Sequence, residues 1–408
     1  MNPTEQIVLS GGTLRPDQLS LLQTRGPLVR VVLPGEVPAW VVTDTPVLKQ
    51  LLVDARLSTD AHTHWRALRQ GQITSRWVLW PWVAVQSILT AAGPDHLRLR
   101  GILGTAFAHR SIQDLRPRIE TTTHQLLDQL ARTPANEIAD LRTDFARVLS
   151  LRVLCELLGL PPQPTTSLLA CSTAIFDTTL LPEFREAPVA HLYRTLDDLI
   201  GDKRTHPGDD LTTALLSVYD DGNPPSEQEL RDILLVTITA GHGTTAHLLE
   251  NAALALLTDA ALRADVLAGQ RSWPTVIEET LRAEPPTVHL PFRFATDDIE
   301  LDRGQRVAKG EVILTGLAAV DRRPHIHRNP ARFDPRRNIT DHLAISNSPR
   351  VCPGEPLARL VASIALPALF TRFPDLTLAT PPGRLDYITS IVDNSHLGLP
   401  VFPHPWRR

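Results

Sequence analysis

Cysteine and lysine are both scarce in this chain, and no apolar run opens it. Only three cysteines occur in 408 residues. Cys155, Cys171 and Cys352 are too few and too scattered to make a disulfide framework. That excludes a disulfide-stapled extracellular scaffold and points to a reducing compartment, with the cytoplasm the simplest expectation. Cys155 sits in the apolar run 151–160 and reads as a small buried hydrophobe, as does Cys171. Residues 1–12 show neither an apolar stretch nor a basic leader, so neither a signal peptide nor a membrane anchor is expected. The net charge of −4 and pI near 6.4 give no electrostatic case for binding nucleic acid or a membrane surface. Lysine is limited to Lys49, Lys203 and Lys309, so the basic charge is almost all arginine. Arginine holds carboxylates in a bidentate geometry that lysine cannot match. Internal repeats and low-complexity linkers are also missing.

What is present is helix, punctuated by proline. The 35 prolines are spread throughout, often at junctions such as Pro161-Pro162 and Pro285-Pro286. This pattern suits many helices joined by turns within one domain, residues 1–408. A short hairpin is expected at 28–33 and 39–43, around Pro34-Gly35. Helical patterns follow at 95–109, 111–131, 140–158, 165–180 and 188–203. The longest candidate is 226–257, where Ser226 and Glu229 form a capping box and the stretch from Ile233 to Ala240 is apolar almost all round. Further helices are expected at 273–284 and 355–370, with strands near 288–294 and 312–315. The fold class is therefore mainly α with a small β part.

Near the C-terminus, Cys352 stands just before a helix start, in Ser346-Asn347-Ser348-Pro349-Arg350-Val351-Cys352-Pro353-Gly354-Glu355-Pro356-Leu357-Ala358-Arg359. A thiolate placed there is stabilised by backbone N–H groups and the helix dipole. Alone, a loop cysteine is more often structural than a ligand; here the flanking residues decide. The stretch resembles the haem-binding loop of the cytochromes P450, Phe-Gly-x-Gly-x-His/Arg-x-Cys-x-Gly followed by Leu-Ala-Arg. The chain departs from that pattern at Ile345, in place of Phe, and at Ser346 and Ser348, in place of two glycines.

That resemblance implies a single-domain fold of the soluble bacterial class, with haem b between the long distal helix and the Cys-loop helix. Cys352 would be the iron ligand, and Gly354 would let backbone and porphyrin approach closely. Arg350 would pair with a haem propionate, as would His96 and Arg100 of Asp95-His-Leu-Arg-Leu-Arg100, and Arg293 of Leu290-Pro-Phe-Arg293. Glu279-Thr-Leu-Arg282 matches the family's Glu-x-x-Arg, which implies a buried structural ion pair near Arg332-Phe333. Ala240-Gly241-His242-Gly243-Thr244-Thr245 resembles the family's Ala-Gly-x-Asp/Glu-Thr-Thr. Ala240 and Gly241 would leave room for dioxygen, and Thr244 matches the alcohol that hydrogen-bonds on the oxygen side of the haem. Gly243 replaces the customary acid, which leaves water, His242, His247 or a substrate group to carry protons.

The implied activity is a monooxygenase taking electrons from a separate ferredoxin or flavodoxin and oxidising a small metabolite. Oxidative C–C or C–N coupling is the runner-up, as in relatives that join a tryptophan-containing cyclic dipeptide to an aromatic partner. A non-catalytic haem-binding protein is the reading from another class; the retained Thr244 and the propionate cations argue against it. Four tryptophans between 65 and 82, with Trp77 and Trp82 foremost, suggest an aromatic pocket. The stretches 287–290 and 387–393, with Gln86, Val288, His289 and Asp393, complete the expected substrate wall. The protein is expected to be a monomer.

Overall fold

The structure, a computed structural model, describes residues 7–9, 16–109, 112–161, 165–177, 180–217, 225–301, 304–337, 339, 341–346 and 350–404. Ser348, one of the two loop serines, lies outside the described residues.

Alternating apolar residues at Leu28–Leu33 (β1) and Val37–Val42 (β2) bury one face and pair antiparallel about the Pro34-Gly35 turn. Gly35 adopts φ 78, a left-handed conformation that suits glycine. The hairpin joins Leu290–Ala295 (β3) and Val312–Thr315 (β4) in a six-stranded mixed sheet, with β2 parallel to β4 and β4 antiparallel to β3. Trp65, Trp77, Phe292 and Phe294 pack on this sheet, with Trp77 stacked on Phe292 at 5.6 Å between ring centres.

The larger core belongs to the helices. They are α1 (Gly93–His109), α2 (Arg116–Leu130), α3 (Arg147–Leu158), α4 (Thr165–Phe176), α5 (Pro182–Thr205), α6 (Glu227–Thr258), α7 (Trp273–Ala283) and α8 (Glu355–Arg372). The capping box of α6 is formed: Glu229 N–H donates to Ser226 Oγ at 3.1 Å, and Ser226 N–H to Glu229 Oε2 at 2.8 Å. Helix α6 is 32 residues long, buries apolar side chains through its length, and packs on α3, α7 and α8.

Two helix expectations change. α5 begins six residues earlier than read and carries Pro188 in its second turn, where the ring forfeits the N–H bond to the Phe184 carbonyl. The helix expected over 140–158 is interrupted by a π-helical turn at Arg142–Ala146 before α3 starts. No described helix is long and apolar enough to cross a membrane.

Glu279 and Arg282 of α7 form the expected ion pair, bidentate at 2.8 and 2.8 Å and fully buried. Arg282 also donates to the carbonyls of Asp321 and Pro330 at 3.0 Å and of Arg332 at 3.3 Å. Glu279 accepts from the Asp334 N–H at 2.7 Å. This pair anchors the irregular 321–337 segment, which would otherwise leave buried carbonyls unpaired.

Candidate active site

Helix α6 and the loop before α8 face each other across a cavity of about 580 Å³. Ala240, Gly241, Gly243 and Thr244 line it from α6, and Cys352 and Gly354 from the loop. Thr244 Oγ1 donates back to the Ala240 carbonyl at 2.6 Å, a bond that competes with the helix ladder although α6 runs on unbroken. Gly241 is small for a second reason: a Cβ there would come within 3.2 Å of the Leu154 methyls on α3. At Gly243 a Cβ would meet only His247 Cε1, at 3.9 Å. The space beside Gly243 is open.

Cys352 N–H donates to the Ile345 carbonyl at 3.1 Å, which closes the loop. Ser346 sits at φ 65, a conformation glycine adopts without strain and serine does not, so the resemblance's glycine has a backbone reason. Burial pushes the Cys352 thiol pKa up, against the N–H groups of Gly354 and Glu355, which favour the thiolate. A metal bond is what would hold this sulfur deprotonated.

One end of the cavity gathers cations. His96 and Arg100 come from α1, Arg293 from β3, and Arg350 from the loop, and all four line the wall. Arg350 donates to the carbonyls of Ile88 and Ala91 at 3.2 and 2.8 Å, Arg293 to that of Phe292 at 3.2 Å, and Arg100 to that of Val351. Burial lowers the Arg350 pKa to about 10 and, with help from the Arg350 charge, that of Arg293 to about 9. His96 is lowered to about 4 by burial and then by Arg350, Arg100 and Arg293. Its buried Nε2 has no hydrogen-bond partner, and among the described residues no carboxylate pairs with His96 or Arg293. Crowded, desolvated cations need anions.

A haem fits these residues: its two propionates would meet the three arginines and the His96 ring, and Cys352 would hold its iron. Bound there, haem would supply dioxygen activation assisted by the thiolate. Arg293→Ala should leave a propionate partly unpaired, at roughly 1.5–3 kcal/mol for a charged hydrogen bond. Haem capture by an apo-globin should therefore run about tenfold or more faster than from wild type; equal rates would show that Arg293 does not hold the cofactor.

The expected substrate wall is only partly where it was read. Trp82 and Asp393 line the cavity, whereas Trp77, Gln86, Val288 and His289 do not. Trp77 lies over the β1–β2 turn, its Nε1 donating to the Pro34 carbonyl at 2.7 Å, because folding 61–84 onto the sheet buries the indole there. Gln86 is exposed, and its backbone N–H donates to Asp232 Oδ2 at 2.7 Å. Val288 N–H pairs with the Val392 carbonyl at 2.6 Å, and His289 Nδ1 lies 2.8 Å from the Ile391 carbonyl, so both belong to the packing between the two chain segments. From the expected 287–290 stretch it is Thr287 and Leu290 that line the wall.

Sequence reading did not single out Arg142, Arg147, Ser172 or Thr173, which also line the cavity. His242 Nδ1 lies 3.3 Å from Ser172 Oγ, and burial, then Arg147 and Arg142, lower its pKa to about 3. His247 is held well below its ordinary value, first by burial. Both rings are therefore neutral near pH 7. Asp393, 3.9 Å from His247 Nδ1, accepts from Ser390 Oγ at 3.0 Å, and burial raises its pKa to about 6.

Comparison with known proteins agrees with this geometry. The Cytochrome P450 family profile matches residues 273–382. The chain is 40% identical, over 93% of its length and 93% of the relative's, to a 2-hydroxy-5-methyl-1-naphthoate 7-hydroxylase of Streptomyces carzinostaticus. It is 33% identical to the cytochrome P450 monooxygenase PikC of Streptomyces venezuelae, over 95% of this chain and 90% of that one. The structure of CYP154A1 from Streptomyces coelicolor A3(2) superposes with a TM-score of 0.90 at 40% identity, covering 98% of this chain and 100% of the other. With Cys352 facing α6 beneath the gathered cations, the chain belongs to the cytochrome P450 family and is a haem-dependent monooxygenase.

Proposed function

We propose that this enzyme hydroxylates a compact aromatic metabolite, with electrons from a separate ferredoxin or flavodoxin and as a cytoplasmic monomer. The observation that carries this reading is the cavity wall, where Trp82, Leu154, Ile233, Val236 and Leu290 adjoin Thr244 and the Cys352 loop. The name of the naphthoate hydroxylase relative supports the same substrate class. The balance is one C–H bond, dioxygen, two electrons and two protons giving one C–OH and water. Incubation of the holoenzyme with bicyclic aromatic substrates, a surrogate ferredoxin system and isotopically labelled dioxygen should give a product heavier by one labelled oxygen atom. A product joined from two substrate molecules with loss of two hydrogens and no label would favour coupling.

Proton supply is the unusual part of this site. Gly243 stands open, and His242 and His247 are neutral, so the space is expected to hold substrate or ordered water. Gly243→Glu and Gly243→Ala should then both lower the ratio of product to reducing equivalents consumed, by similar amounts. A carboxylate in that space is costly without a partner. If Glu raises the ratio while Ala leaves it unchanged, the missing acid alone limits turnover.

A further inference from the structure

Arg142 and Arg147 are set on the same cavity wall by the π-helical turn, in which the Arg147 N–H donates to the Arg142 carbonyl. In an α-helix, residues five apart point about 140° away from each other. An i→i+5 turn instead sets the fifth residue above the first.

Their charges are matched differently. Arg142 Nη1 lies 2.7 Å from Glu250 Oε2 and 3.3 Å from Ser395 Oγ, and the Ser395 hydroxyl also donates to Glu250. Arg147 Nη2 donates to the Thr173 hydroxyl. Among the described residues no carboxylate lies within ion-pair distance of Arg147. Asp177 and Asp393 share the cavity, but Asp177 Oδ1 accepts from the Leu180 N–H at 3.2 Å and Asp393 from Ser390. Burial, then the Arg142 charge, lowers the Arg147 pKa, with Glu250 and Asp140 opposing. Arg147 is half-buried, and a partly desolvated cation lacking a counter-ion gains when a ligand brings an anion to it.

We infer that Arg147 is an anion subsite of the substrate pocket and takes the carboxylate of a compact aromatic acid, with the Arg142–Glu250 pair holding the wall that presents it. The inference rests on the cavity being the substrate site and adds the charge that the substrate carries. The rings would occupy the apolar wall of Val153, Leu154, Ile233 and Trp82.

The test is titration of the holoenzyme with 2-hydroxy-1-naphthoate and with 2-naphthol, which lacks the carboxylate. Both the haem spin-state shift and calorimetric heat are followed. Wild type should bind the acid about tenfold or more tightly than the naphthol. Arg147→Gln should bring that ratio close to one, and Arg147→Lys, which keeps the charge but loses the planar fork, should retain part of it. Matching ferrous–carbon monoxide spectra and melting temperatures show that the variants are folded. Equal affinities in wild type, or an undiminished preference in Arg147→Gln, overturn the subsite. An Arg147-dependent preference without oxygenated product supports the subsite and refutes the hydroxylation reading. Oxidation of naphthol with no preference for the acid does the reverse.

Discussion

Cys352→Ala is expected to abolish monooxygenase turnover and to remove the red-shifted Soret band of the reduced carbon monoxide complex while the fold persists. Thiolate coordination gives that band, and the same thiolate pushes electron density toward O–O cleavage. The fold should survive because Cys352 lies in a loop facing the cavity, with its backbone held by the Ile345 carbonyl and its side chain outside both apolar cores. Cys155 and Cys171 cannot take its place: both are buried in the helical core, and neither lines the cavity. The measurement is the reduced carbon monoxide difference spectrum, with far-ultraviolet circular dichroism as the fold control. A retained band in Cys352→Ala would show that another residue holds the iron.

Glu279→Ala should be the most damaging change to the fold. It strands the fully buried Arg282 guanidinium and frees the Asp334 N–H, at a cost of about 3–5 kcal/mol for a broken buried pair. That is a large fraction of a typical domain's stability of about 5–15 kcal/mol. Soluble yield should fall sharply, and what is recovered should unfold at much lower denaturant concentration. Replacing both residues by apolar ones, Glu279→Leu with Arg282→Met, should hurt less than Glu279→Ala, since the fully buried guanidinium leaves with its partner and only Arg337, 3.3 Å from Glu279, loses a carboxylate. If the single change were harmless, the pair would not anchor the 321–337 segment.

Both effects were legible in the sequence because the family resemblance rests on a short local pattern at each place. Glu279 and Arg282 share a helix face at i,i+3 wherever α7 packs. Cys352 precedes a helix whose N-terminal N–H groups exist regardless of the rest of the fold. The propionate cations were legible only through the family resemblance, since His96, Arg293 and Arg350 are far apart in the chain and one wall in space. The tryptophan-rich stretch misled for a comparable reason. Its composition announces burial but not against what, and Trp77 is buried on the sheet while Trp82 faces the cavity.

The sequence by itself determined the helical class and the long capped α6, which follow from periodicity and local hydrogen-bonding geometry, while the cysteine loop and the buried ion pair were legible through the family resemblance. Only the tertiary structure decided which side chains face the cavity. Arg142 and Arg147 stand on different faces of any regular helix, and the π-helical turn that aligns them cannot be read from hydrophobic period. The openness beside Gly243 is likewise a matter of what does not pack there, and a void is a property of neighbouring elements brought together, not of any one segment.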